Sequence, residues 1–304
     1  MREVDAGRGR LIDAGARSGI AAEYAALAKP GLTVMSVCTA AGGAYLATGG
    51  HPPALLLVHL IIGTLLVGSG AGALNQWIER FADARMKRTE RRPLPSGALS
   101  AHQALAFGLV CALGGVVELT YATTVLAGIL ASVTLFVYLL MYTPLKRITH
   151  LSTAVGGIPG ALPPLIGWVA AGRGMSLEGY LLFLFLFFWQ MPHFLSLAWM
   201  YRHDYARGGY HLLPLYDPSG AVTGRLVVLY TAALPVVGVS LSVVGLMGWV
   251  FLVGSLLAGG AFLLLAVRFE RGISNDNARR LFFGSLLYLS VILALMLLDR
   301  VTLG

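Results

Sequence analysis

Residues 54 to 92 read ALLLVHLIIGTLLVGSGAGALNQWIERFADARMKRTERR. The stretch from Ala54 to Leu74 carries no charge apart from one histidine, and about 20 such residues suffice to cross a bilayer's hydrocarbon core. Asn75, Glu79 and Asp83 then recur every four residues, and Arg85, Lys87, Arg88, Arg91 and Arg92 follow before Pro93 and Pro95 end the helix. The segment therefore predicts a membrane span that ends in an acidic stripe and turns into a basic loop.

The rest of the chain repeats the apolar part of this pattern. Of 304 residues, 57% are hydrophobic and 12% are charged, where a soluble domain carries about 25% charged residues, so a water-soluble fold is excluded. Nine spans are expected, at 31 to 49, 54 to 78, 101 to 119, 121 to 140, 151 to 171, 177 to 200, 224 to 246, 248 to 268 and 279 to 298. Met1 to about Ser18 is rich in Gly, Arg and Asp and reads as a disordered tail. It is no secretory signal, because the first apolar run starts about 30 residues in, is long enough to span and lacks a small-residue cleavage pattern. Cys38 and Cys111 lie inside apolar runs with no Cys-x-x-Cys spacing, which sets aside disulfide and thiolate-metal chemistry.

Alternating nine spans puts 20 of the 22 Lys and Arg residues on one side, in the N-terminal tail (Arg2, Arg8, Arg10, Arg17, Lys29) and in the loops after even-numbered spans. Only Arg173 and Arg300 fall on the other side. The positive-inside rule makes the basic side cytoplasmic, with the N-terminus inside and the C-terminus outside. Topology and contact with anionic lipid account for the net charge of +8, and nothing supports nucleic-acid binding.

At 100° per residue, Asn75, Glu79 and Asp83 fall within about 80° of one another along about 12 Å of helix. An ionisable group at membrane depth costs about 2.5 to 3.5 kcal/mol, so this stripe needs a partner or a wet cavity. Oxygen ligands without His or Cys suit Mg²⁺, which is commonly held by one or two carboxylates plus substrate phosphates. The stripe equally fits a helix end laced with i,i+4 pairs to Arg80, Lys87 and Arg88. The bases beyond it suit a diphosphate, and also a membrane-surface anchor.

Near the end of the sixth span comes Trp189-Gln-Met-Pro-His193-Phe, and then Tyr201-Arg-His-Asp204-Tyr-Ala-Arg207-Gly-Gly. Asp204 is the carboxylate available there to oppose Glu79 and Asp83. Pro192 is expected to kink this span, and Gly156, Gly157, Pro159 and Gly160 to interrupt the fifth. His193 fits a hydrogen-bonded packing residue, a ligand or a base.

These residues resemble the UbiA-type intramembrane prenyltransferases and, within them, the heme O synthase branch. Asn75, Glu79 and Asp83 match its first signature, continued by Met86-Lys-Arg-Thr89 and Arg91-Arg-Pro-Leu-Pro95; Ala28-Lys-Pro30, Tyr142-Thr-Pro-Leu-Lys146-Arg147, Gly156-Gly157 through Pro163-Pro-Leu-Ile-Gly-Trp168, Trp189 to Phe194 and Asp204 to Gly209 match further. The likeness covers about residues 24 to 300. It implies an all-α, polytopic membrane protein with nine transmembrane helices around a central cavity open to the cytoplasmic side, residues 1–20 being the tail and 21–304 the intramembrane prenyltransferase domain. It also implies Mg²⁺-dependent use of farnesyl diphosphate, transfer to a vinyl group of heme b, a place in the cell inner membrane, and a heme A synthase or terminal oxidase as consumer. Two departures stand out: Gly31 follows Lys-Pro where Arg is common, and the superfamily's second Asp pair is reduced to Asp204, with Met200 and Gly208 at the four-residue offsets.

The expected site follows from both readings. Glu79 and Asp83 hold Mg²⁺, Asn75 orients the diphosphate, and Asp204 supports a second metal. Lys87, Arg88, Arg91, Lys146 and Arg147 are candidate phosphate contacts; Tyr142, Trp189 and Tyr201 are candidate liners for an allylic cation, and His193 a heme contact. A quinone-precursor prenyltransferase is the same-fold rival, opposed by Glu79 and the Trp189 to Phe194 run. A small-molecule transporter is the rival from another class, opposed by the lack of an internal repeat and the clustering of acids at one face.

Overall fold

The computed structural model describes residues 19 to 300; the expected tail, with Arg2, Arg8, Arg10 and Arg17, lies outside the described residues. The described chain is helical throughout, without named strands. After a short α1 (Ile20–Leu27) come α2 (Pro30–Ala47), α3 (Ala54–Asp83) and α4 (Ala101–Ala122). The next long element is α5 (Val125–Phe136), a π-helical section (Val137–Tyr142) and α6 (Thr143–Leu145) read end to end. Then follow α7 (Ser152–Ala170), α8 (Leu177–Met200), the short α9 (Arg202–Arg207) and α10 (Leu213–Tyr216), and α11 (Ala221–Val243), α12 (Trp249–Arg271) and α13 (Asn275–Leu298).

Eight of these, α3, α4, the α5-to-α6 element, α7, α8, α11, α12 and α13, are long and apolar enough to cross a membrane. The remaining expected span, 31 to 49, corresponds to α2, whose 18 residues include a proline, three glycines, two threonines and a serine that dilute its apolar character. Each expected span coincides with one long helix, shifted by a few residues at its ends. α3 has 30 residues, about 45 Å at 1.5 Å per residue, so its last turns run past a hydrocarbon core of about 30 Å. That overhang is what admits acids at its end.

Around the bundle α2 packs between α3 and α7, α4 between α3 and α5, α5 against α7, and α8 against α7, α11 and α13, with α12 between α11 and α13. Glycine permits the close α2–α7 crossing. A Cβ on Gly43 would stand 2.0 Å from the Pro164 carbonyl oxygen, and one on Gly167 would stand 1.8 Å from the Ala40 carbonyl oxygen. The expected interruption of the fifth span does not occur: α7 runs unbroken through Pro159, Pro163 and Pro164. Buried neighbours surround it, and the Gln190 amide of α8 donates to the Gly157 carbonyl at 2.7 Å, which ties α7 to α8.

Between α2 and α13, which touch only lightly, lies an apolar cleft of about 400 Å³ lined by Thr39, Leu46, Pro164, Phe185, Leu289 and Met296 among others. At its end away from the basic loops, the Arg300 guanidinium sits 4.9 Å above the Tyr45 ring and donates to the Gly49 carbonyl at 3.0 Å. Arg173 similarly donates to the Ala47 carbonyl at 2.7 Å. Both bases of that face thus satisfy carbonyls at the C-terminal end of α2, where the helix dipole favours a cation.

Candidate active site

The acidic stripe is buried. Asn75, Glu79 and Asp83 are 2%, 3% and 1% exposed at the C-terminal end of α3, and three other segments supply what surrounds them. The first is the elbow between α1 and α2. The Gln76 amide donates to the Ala26 and Leu27 carbonyls at 3.2 and 3.1 Å, pinning the elbow onto α3. Lys29 at its apex has φ 50, the only positive φ on a non-glycine among the described residues. Such a conformation costs about 1 kcal/mol or more and persists where the surroundings impose it. Its ammonium donates to Asn75 Oδ1 at 2.6 Å. Burial and the nearby Arg92 charge draw the Lys29 amine down to about 7.

The second segment is the π-helical turn. Thr143 Oγ1 donates to the Tyr138 carbonyl at 2.7 Å and accepts from Asn75 Nδ2 at 3.1 Å, while that amide also donates to Glu79 Oε2 at 3.0 Å. Tyr138 and Tyr142 stack with ring centroids 5.6 Å apart. One turn on, Lys146 forms an ion pair with Glu79, its ammonium 4.7 Å from the Tyr142 ring centre and 5.0 Å from that of Tyr210. π-Helical turns recur at functional sites because the extra residue re-aims side chains.

The third is the loop from 84 to 100. Arg92 pairs with Asp83 Oδ2 at 2.8 Å, and Thr89 Oγ1 donates to the Asp83 carbonyl at 2.9 Å. Asp83 Oδ1 is buried with no hydrogen-bond partner among the described residues. Met86 folds back into an apolar cluster with Ala82, Ala198, Tyr210 and Leu212. Burial and the Glu79 charge push the Tyr210 phenol well above its ordinary range.

Asp204 lies beside this group, with its carboxylate already engaged. Its two oxygens accept from the backbone N–H of Lys87 at 3.0 Å and of Arg88 at 3.3 Å, and Arg207 pairs with the same group. Burial alone would raise its pKa; the Arg88 and Lys87 N–H groups and the Arg207 guanidinium hold it below the ordinary 3.8 instead. The reduced second acid pair has a packing counterpart. A Cβ on Gly208 would stand 2.8 Å from Met86 Sδ, and Met200 packs against the main core. Gly31, the other departure, is exposed with open space around it, so a side chain there would meet no steric bar.

The structure therefore brings together Asn75, Glu79, Asp83, Tyr142 and Lys146, with Asp204 one loop away. Lys87, Arg91 and Arg147 are exposed, and Arg88 stacks on the rings of Tyr201 and Tyr205 at 5.2 and 5.1 Å. Tyr201 is 40% exposed at the surface. His193 and Trp189 belong to a different place, the α8–α13 contact. There His193 Nδ1 meets Ser285 Oγ at 2.8 Å and its ring stacks 4.4 Å from that of Phe282, while Trp189 donates to the Ser285 carbonyl at 2.7 Å. His193 Nε2 makes no hydrogen bond among the described residues. Lys29, Arg92, Tyr138, Thr143 and Tyr210 join the cluster without having been singled out. Lys29 and Arg92 stood in quoted motifs, but nothing in a linear pattern says which base of a cluster turns inward.

Comparison with known proteins shows the family. The UbiA prenyltransferase family model matches residues 35–291. The protoheme IX farnesyltransferase of Solibacter usitatus is 49% identical over 81% of this chain and 84% of its own length, and that of Opitutus terrae is 40% identical over 91% and 94%. Among solved structures, digeranylgeranylglyceryl phosphate synthase superposes with a TM-score of 0.79 at 14% identity, covering 94% of this chain and all of the other. A UbiA homolog from Archaeoglobus fulgidus bound to GPP and Mg²⁺ superposes with a TM-score of 0.64 at 13% identity, covering 90% and 99%. The family model over residues 35–291, together with relatives 40% and 49% identical over most of the chain, places the chain in the UbiA prenyltransferase family.

Proposed function

We propose that this chain transfers the farnesyl group of farnesyl diphosphate to a vinyl group of heme b, yielding heme O. The observation that carries this reading is the buried stripe of Asn75, Glu79 and Asp83 faced by Lys29, Lys146 and Arg92, in a chain 49% identical to a protoheme IX farnesyltransferase. The donor set fits a hard cation: two carboxylates one turn apart, an amide oxygen, and the buried, unpartnered Asp83 Oδ1. Among the described residues no group of three or more His, Cys, Asp or Glu could hold a metal alone. Diphosphate oxygens and water would complete the ligand set of such a cation. Mg²⁺ held by Glu79 and Asp83 would neutralise charge on the diphosphate.

The protein's own part is mostly positioning. Asn75 is fixed by Lys29, Thr143 and Glu79, and so presents its amide in one orientation. Lys146, Arg92 and Lys29 stabilise the departing diphosphate as its C–O bond breaks and it takes the electron pair. Tyr138 and Tyr142 place ring faces beside the site, where an allylic cation is stabilised and water is kept away. The vinyl group then bonds to the farnesyl carbon, and water adds a hydroxyl to the resulting cation with loss of a proton. Asp204 acts first by holding the loop that carries Arg92; a direct metal role for it would require giving up its present partners. His193, its Nδ1 engaged by Ser285, offers Nε2 as a heme contact on the α8–α13 face. The basic loops face the cytoplasm across the inner membrane, with a heme A synthase or terminal oxidase as consumer.

Hemes extracted from a heme-O-deficient bacterial strain and separated by liquid chromatography test the reading. Heme O should appear with this chain and vanish with Glu79→Gln or Asp83→Asn. A well-inserted parent that makes no heme O, but prenylates an aromatic quinone precursor, would reassign the acceptor.

A further inference from the structure

The ion pairs around the acidic stripe have a consequence for how ligands enter. Glu79 is held by Lys146, Asp83 by Arg92 and the Asn75 oxygen by Lys29, so the bases occupy oxygens that a metal would take. We propose that Lys29, Arg92 and Lys146 are resident counter-ions of the acids, which move onto the phosphate oxygens as metal and diphosphate arrive, so that the two ligands bind as a unit. The proposal rests on the prenyl-diphosphate reading above.

Charge decides it. Acids that are 3% and 1% exposed cannot lose their bases without leaving an uncompensated buried charge, and Lys146, 8% exposed, is little better placed. A divalent cation entering alone takes the carboxylates and strands the bases; a diphosphate entering alone takes the bases and strands the carboxylates. Together they leave neither set unpaired. The bases also have room to move. Lys146 lies between the faces of Tyr142 and Tyr210, so its ammonium can leave Glu79 and stay against a ring. The Arg92 side chain is 29% exposed and reaches the site from its margin. Of the four carboxylate oxygens of Glu79 and Asp83, Asp83 Oδ1 is the one with neither a hydrogen bond nor an ion pair among the described residues, and so the natural first contact for an incoming cation.

By linkage, a metal that tightens diphosphate binding is itself tightened equally by the diphosphate, and couplings of about 5- to 150-fold are common. The test uses the purified full chain in nanodiscs. Mn²⁺ binding alone is followed by the loss of its free electron-spin-resonance signal. Farnesyl thiolodiphosphate, which resists ionisation, is titrated with chelator and with Mg²⁺. In the parent, Mg²⁺ should tighten the thiolodiphosphate at least tenfold and Mn²⁺ alone should bind weakly.

Lys146→Met should move the two affinities in opposite directions: Mn²⁺ alone at least tenfold tighter, Mg²⁺-thiolodiphosphate at least tenfold weaker. Lys146→Arg, which keeps the charge, should keep Mn²⁺ binding weak. Arg92→Met at the margin of the site repeats the measurement if Lys146→Met does not fold. Mn²⁺ binding no tighter in these variants than in the parent overturns the counter-ion proposal and leaves the function intact. A parent that binds no thiolodiphosphate in Mg²⁺ overturns both.

Discussion

Asp204→Asn separates an anchor from a metal ligand. The carboxylate accepts from the Lys87 and Arg88 backbone N–H groups and pairs with Arg207. An asparagine offers one carbonyl oxygen and turns an NH₂ group toward the other donor, so one N–H of these part-buried bonds loses its acceptor, which costs about 1 to 3 kcal/mol. The Arg207 side chain is 46% exposed, and its pair adds only a few tenths of a kcal/mol at most. Taking about 2 kcal/mol as the sum, and about 1.4 kcal/mol per factor of ten, the loop should open roughly thirtyfold more often. Hydrogen exchange measured by mass spectrometry on short peptides covering residues 84 to 92 reads this directly. The loop should lose about thirtyfold protection while peptides from the middle of α3 keep theirs.

The pH dependence of that difference has a definite sign. The folded-state pKa of Asp204 lies below 3.8, so its contribution is fully present above the ordinary carboxylate range and disappears only as pH falls through the depressed value. The protection difference should therefore be the same at pH 7 and pH 5. Unchanged exchange in the loop, together with weakened metal binding, would refute the anchoring argument and make Asp204 a ligand.

Other consequences are simpler to measure. Gly43→Ala places a methyl 2.0 Å from the Pro164 carbonyl oxygen and should lower stability by about 1 to 3 kcal/mol, read as an earlier thermal midpoint in detergent, with Gly42→Ala, which meets nothing within 4 Å, as the silent control. Lys29→Gly relieves the φ of 50 yet removes the ammonium on Asn75, so turnover should fall at least tenfold while the thermal midpoint holds or rises; a drop in both would make Lys29 structural. Chelation with EDTA should abolish prenyl transfer in membranes and excess Mg²⁺ should restore it. Ser285→Ala frees the His193 ring and should weaken use of heme while leaving thiolodiphosphate affinity unchanged.

Much of the molecule follows from linear pattern alone. A bilayer demands about 20 apolar residues per crossing and satisfied backbone groups within each, so span number, helix type and the side on which bases collect are local properties that composition reveals. The spacing of Asn75, Glu79 and Asp83 likewise fixes a common helix face before any neighbour is known. What only the tertiary structure decided is which partners meet that face. Lys29 turns inward because Gln76 pins the elbow onto α3; Arg92, of the six bases between Arg80 and Arg92, reaches Asp83 because Asp204 and Met86 fold the loop back. Asp204 is drawn to backbone N–H groups more than 100 residues away, and His193 to Ser285 across a helix pair, by side-chain geometry that no period along the chain encodes. Helix existence is set by neighbours within a few residues, whereas the pairing of buried charges is set by whichever donors the folded bundle brings within about 3 Å, and sequence distance carries no information about that.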